Sequence, residues 1–154
     1  LGDSALARFR RDVLEQPGVG TAIVLIGIND IGLSGSAGPD GVVYPQVSTA
    51  QLIAGYRELI AQARTDGVYI VGATIPPFAG STYFSPEKER LRTEVNTWIR
   101  ESDAFDKVVD LEQALTEPGD RTRLAAAFDS GDHLHPNDSG YRAMAVVIAR
   151  ALAT

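Results

Sequence analysis

Apolar positions recur along this chain in two alternating patterns, one helical and one strand-like. Residues 4–15, "SALARFRRDVLE", place Leu6, Phe9, Val13 and Leu14 on one face of a 3.6-residue period, with Ser4 as the candidate N-cap. "QPGVG" (16–20) ends that helix with Pro and Gly. "TAIVLIGI" (21–28) is an unbroken apolar run with β-branched residues, which predicts a strand buried inside a parallel sheet. The Gly-rich stretch 29–47 then predicts a long loop. Residues 48–67 give the clearest helix. Ser48 and Gln51 form a capping-box pattern, Leu52, Ile53, Tyr56, Leu59, Ile60 and Ala63 keep the period, and Gly67 closes it.

"VYIVGATI" (68–75) predicts a second buried strand, followed by a loop over 76–84. A third helix starts at Pro86 behind the cap Ser85 and is expected to bury Leu91, Val95, Trp98 and Ile99. "KVVDL" (107–111) predicts a short third strand, and 111–128 predict short helices. A polar loop over 129–138 leads to a closing helix over 139–152. Helices alternating with buried strands imply βαβ crossovers and a three-layer α/β architecture with a parallel sheet. Functional loops in such sheets leave the carboxyl ends of the strands. That places Asn29, Asp30 and the 76–84 loop at one edge, to which the later loop carrying Asp132 and His135 can return.

The bulk composition agrees with one domain: 154 residues, 44% hydrophobic and 22% charged. A net charge of −6, with no basic patch, argues against a nucleic-acid partner. Cysteine is absent, which excludes disulfides and thiolate metal sites. No apolar run reaches the roughly 18–20 residues that span a bilayer. The first residues lack the basic-then-apolar form of a leader, and a start at Leu1 in place of Met suggests a processed, trimmed or excised piece.

Only two histidines occur, both in "GDHLHPND". Asp132 precedes His135 by three positions, where a carboxylate can fix the imidazole tautomer and stabilise the imidazolium of a general base. The plainer account makes His135 a helix cap or a solvated loop residue. Asn29, in "GIND" (27–30), can donate its amide to a developing oxyanion; Asn and Gly are also ordinary turn formers. Asp129, Asp132, His133 and His135, with Asp30 in support, form an alternative metal site suited to Zn²⁺ or Mn²⁺. Phe78, Tyr83 and Phe84 are placed to line an acyl or sugar pocket, or simply to pack their own loop.

Taken together, "IVLIGIND", "GATIPPF" and "DHLHPNDSGYRAMA" resemble the SGNH-hydrolase superfamily, the GDSL esterases and lipases. The resemblance covers essentially the whole chain. It implies a flavodoxin-like α/β/α fold and hydrolysis of small acyl esters, such as acetylated sugars or short-chain lipid esters, through a serine acyl-enzyme. It implies His135 as general base, Asp132 as its orienting carboxylate and Asn29 in the oxyanion hole. Gly27, Asp30 and Phe78 would adjoin the substrate. The resemblance implies no metal or organic cofactor and points to a secreted or periplasmic location. A catalytically impaired fragment or binding module of this fold is the competing reading.

One family feature is out of place. Its Gly-Asp-Ser nucleophile follows the first strand, and a helix, a second strand and a second-block glycine separate it from G-x-N-D. Here Gly2-Asp3-Ser4 lies 25 positions before Asn29, and one helix and one strand fill that interval. The spacing favours Ser4 as the cap of the helix leading into the family's third strand. The competing reading keeps Ser4 as a nucleophile at a helix N-terminus, drawn toward His135. On the first reading residues 1–154 form the C-terminal part of the domain, without its first two strands. The strand 21–28 would then present an open edge, suited to self-association or a partner segment.

Overall fold

The computed structural model describes residues 2–38 and 41–153. Leu1 and the Pro39–Asp40 part of the expected loop lie outside them. Helix α1 (Ala5–Phe9) runs on as a π-helical turn over Arg10–Leu14, and Ser4 caps it by accepting the Ala7 N–H at 3.2 Å. Strand β1 (Thr21–Val24) leads through an irregular 25–27 segment into the short helix α2 (Ile28–Leu33). The expected strand over 21–28 is therefore shorter, and the expected loop over 29–47 begins as a helix. The reason lies at Gly27, whose φ of +107° turns the chain out of the extended region.

Helix α3 (Thr49–Thr65) carries the complete Ser48–Gln51 capping box. Strand β2 (Tyr69–Ala73), helix α4 (Pro86–Glu101) capped by Ser85, strand β3 (Lys107–Val109) and helix α5 (Leu111–Leu115) follow. The short helices expected over 111–128 are only partly present. After α5 the chain forms an antiparallel pair, β4 (Thr116–Glu117) and β5 (Asp120–Leu124), turned at Pro118-Gly119. Helix α6 (Asp138–Leu152) closes the chain and is capped by Asn137.

Strands β1, β2 and β3 form a parallel sheet in that order, with Thr21 opposite Tyr69 and Val71 opposite Lys107. One face packs Ala22, Val24 and Ile70 against Phe9 and Leu14, against Tyr56, Leu59, Ile60 and Ala63 of α3, and against Val95 and Ile99 of α4. The other packs Val71, Ala73 and Val109 against Leu111, Leu115, Leu124 and Met144 of α6. Each such aliphatic side chain stabilises the fold by about 1.5–3 kcal/mol when fully buried. The result is the three-layer α/β architecture that the pattern predicts. Among the described residues β1 pairs on one side only, and its Ile23 stands 42% exposed.

The buried stripe of α4 differs from the expected one. It consists of Arg92, Val95, Asn96 and Ile99, while Leu91 and Trp98 are only half-buried. Two polar residues sit inside because a neighbouring group demands them. Asn96 accepts the Ile75 N–H at 2.7 Å and donates to the Ile75 carbonyl at 2.8 Å. Arg92 donates to the same carbonyl at 2.9 Å and pairs with Glu89 and Glu112. Ile75 follows β2 and begins the run into the 76–84 loop. Its peptide has no strand partner there, so these side chains satisfy it instead.

Candidate active site

The loop after β5 is built around two aspartates. Asp132 Oδ1 accepts the N–H groups of Leu134 (2.9 Å) and His135 (2.8 Å) and the Ser130 hydroxyl (2.9 Å). Its Oδ2 lies 2.6 Å from His135 Nδ1. The His135 N–H, its imidazole and the Leu134 N–H hold the Asp132 carboxyl well below the usual carboxylate range. An ionised carboxylate only accepts, so Nδ1 carries the proton and Nε2 is the nitrogen left to take one. The sequence-predicted pair Asp132–His135 is thus together, in the geometry of a carboxylate-oriented base.

A second pair lies beside it. Asp129 Oδ2 meets His133 Nδ1 at 2.5 Å, and its Oδ1 accepts the N–H groups of Gly131 and His133. Partial burial pushes the Asp129 carboxyl up, but these bonds outweigh it and the carboxyl lies below its ordinary value. His133 adopts a left-handed backbone, φ +62°. Its ring lies against Gly80, where an added Cβ would come within 3.0 Å of Cδ2. Asn137 anchors both ends of this loop, donating to the Ala127 and Asp129 carbonyls while capping α6. Both aspartates are committed to imidazoles. Among the described residues no three His, Asp or Glu side chains converge as metal ligands.

Asn29 lies in the first turn of α2 rather than on a strand end. Its Oδ1 accepts the Tyr83 hydroxyl at 3.2 Å. With Gly27 and Asp30 it lines a depression of about 550 Å³, shared with Ser4, Gln51, Leu52 and Tyr56. Gly27 is needed there twice over: for its positive φ, and because a Cβ would lie 2.9 Å from the Tyr56 hydroxyl. Burial, with the Asp30 charge added, pushes the Tyr56 hydroxyl up, and it donates to the Ile26 carbonyl at 2.7 Å. Ser4 therefore shares a surface with Asn29, and its hydroxyl serves the α1 N-terminus. Asp132 and His135 do not line that depression.

The 76–84 loop bridges the two halves of the site. Gly80 touches His133, and Tyr83 reaches Asn29. Phe78 is fully buried and packs edge-to-face on Phe84 at 5.7 Å, so it supports the loop and presents no surface to a ligand. The Tyr83–Asn29 bond and the Asn96–Arg92 clamp on Ile75 are absent from the sequence reading. Both join positions far apart in the chain, and no local spacing signals them.

The GDSL-like lipase/acylhydrolase family model matches residues 2–143. The chain belongs to that family. No curated protein matches it in sequence. Solved structures share its fold at low identity. A GDSL-like lipase from Bacteroides thetaiotaomicron superposes with a TM-score of 0.75 at 17% identity, covering 96% of this chain and 68% of that one. An acetylxylan esterase from Geobacillus stearothermophilus gives 0.66 at 21%, covering 97% and 66%. An α/β hydrolase from the Lake Arreo metagenome in Spain gives 0.68 at 19%, covering 97% and 66%. The chain thus spans about two thirds of the length of these neighbours.

Proposed function

We propose that this family member hydrolyses small acyl esters, with His135 as general base, Asp132 as its orienting carboxylate and Asn29 as an oxyanion donor. The observation that carries the reading is the Asp132–His135 pair, with Nδ1 held by an ionised carboxylate and Nε2 free to accept a proton. A base so held removes the proton from an attacking hydroxyl and returns it to the leaving alcohol. The amide of Asn29 stabilises the oxyanion of the tetrahedral intermediate. Acetylated sugars are the substrate class to assay first, because structural neighbours include enzymes described as acetylxylan and acetyl-xylooligosaccharide esterases. One neighbour, an acetylxylan esterase, is described as a catalytic mutant carrying a serine-to-alanine change.

In this reading Ser4 is a helix cap and the relay activates a water: His135 Nε2 takes the water's proton as its oxygen bonds to the acyl carbon, and returns that proton to the alcohol oxygen as the ester C–O bond breaks. Two observations support it: the spacing to Asn29 and the bond from Ala7. Hydrolysis of p-nitrophenyl acetate is the test. Ser4→Ala leaves the rate unchanged and His135→Ala abolishes it. A Ser4→Ala variant that folds but loses hydrolysis makes Ser4 the nucleophile. The open side of β1 supports a further strand pairing at that edge. Light scattering checks the self-association form of this: a dimer supports it, and a monomer at every concentration rejects it.

A further inference from the structure

We propose that Tyr83 is a positioning residue that fixes which way the Asn29 amide faces; the inference rests on Asn29 acting as the oxyanion donor. An asparagine amide has an accepting end and a donating end, and rotation about its last bond exchanges them. Only one orientation stabilises an oxyanion. The other presents Oδ1 to the developing negative charge and repels it. The Tyr83 hydroxyl donates to Oδ1 at 3.2 Å; a phenol is a stronger donor than acceptor, so this pairing favours the orientation that leaves the Nδ2 hydrogens for the substrate.

The tyrosine is itself built into place. Its ring lies over Gly32, where an added Cβ would fall 1.9 Å from Cδ2 and 2.3 Å from Cγ. Gly32 and Asn29 are three positions apart on α2, so both face the same side of that helix. The end of α2 is tied to α4 by Lys88, whose ammonium donates to the Gly32 carbonyl at 2.6 Å and to Ser36 Oγ at 3.2 Å. The loop bearing Tyr83 is held by its N–H bond to Ser81 Oγ and by the Phe78–Phe84 ring contact. A bare helix surface at Gly32 is thus the condition for an aromatic ring to reach across 54 positions of sequence and set one amide.

Two variants test this. Tyr83→Phe keeps the ring on Gly32 and removes only the hydroxyl; Gly32→Ala keeps the hydroxyl and displaces the ring. The first readout is the side-chain amide resonances of Asn29, compared in each spectrum with those of Asn96 and Asn137. Both variants shift the Asn29 pair by clearly more than the Asn96 and Asn137 pairs. An Asn29 pair that moves no more than those two in Tyr83→Phe overturns the proposal, whether or not the chain hydrolyses esters. The second readout is kinetic. Tyr83→Phe lowers kcat about 10- to 100-fold, the usual loss when an orienting partner is removed, with KM little changed. In an Asn29→Ala background the same change has no further effect. An equal loss in both backgrounds overturns the proposal. An Asn29→Ala variant with full activity removes the oxyanion reading instead.

Discussion

The buried ion group beneath the 76–84 loop gives a stability prediction whose size follows from its geometry. Glu112 is 4% exposed at its side chain and accepts Arg92 at 3.0 Å, Asn96 Nδ2 at 3.2 Å and the Arg100 guanidinium. Arg92 is 1% exposed. Glu112→Gln keeps the volume and one accepting oxygen but removes the charge. Stripping a buried pair of one partner costs about 3–5 kcal/mol when the other charge is left alone. Here neither arginine is left alone: Arg92 keeps Glu89 at 2.6 Å and Arg100 keeps Asp110 at 2.7 Å. The loss then approaches that of one charged hydrogen bond, about 2 kcal/mol. For a chain of this size that lowers Tm by roughly 4–8 °C.

The pH dependence carries a definite sign. Burial pushes the Glu112 carboxyl up, but the Arg100 hydrogen bond and the Arg92 and Arg100 charges outweigh it and hold it below its ordinary value. A carboxyl depressed in the folded state stabilises it above the unfolded value, and that stability is lost as pH falls through the folded value. The Tm gap between wild type and Glu112→Gln is therefore full at pH 7 and shrinks on acidification below about pH 4–5. Thermal melts followed by circular dichroism at pH 7 and pH 3.5 measure it. Equal Tm values at pH 7, or a gap that widens in acid, refute the reasoning.

Asp132→Asn retains an accepting oxygen for Ser130, Leu134 and His135 N–H but loses the carboxylate facing Nδ1. Ester hydrolysis falls about 10³- to 10⁴-fold while the melting temperature changes little, as steady-state kinetics and melts on one preparation show. Gly80→Ala forces a Cβ onto φ +103° and against the His133 ring, so it destabilises by about 1–3 kcal/mol, read from urea unfolding. Ser4→Ala removes the α1 cap and costs about 0.5–1 kcal/mol, detectable as a small downward shift in Tm.

The helix starts were legible because each is set by local chemistry: Ser48 with Gln51, and Ser85 with Pro86. The Asp132–His135 pair was legible for the same reason, since a three-residue spacing in a loop suffices to close it. The end of β1 was not legible. Gly27 breaks an apolar run that composition alone reads as continuous, and Asn29 consequently rides on a helix. The β4–β5 hairpin carries a Pro118-Gly119 turn, but its charged, short strands lack the apolar alternation that marks a sheet. Arg92 and Asn96 are not among the positions the pattern expects to be buried, because polar residues on a helix usually face solvent. Their burial is decided by the unpaired peptide of Ile75, which lies 17 and 21 positions away in sequence. Tyr83 was visible as an aromatic loop residue, yet its partner Asn29 and the space above Gly32 exist only once β1, α2 and β2 are assembled.

The account stands on His135 as the base of an ester hydrolase, and its most direct test is the kcat/KM for p-nitrophenyl acetate of wild type against His135→Ala. The expected result is measurable hydrolysis by wild type and a loss of about 10³-fold or more in the variant, with its fold intact. Hydrolysis undiminished in His135→Ala would contradict the account.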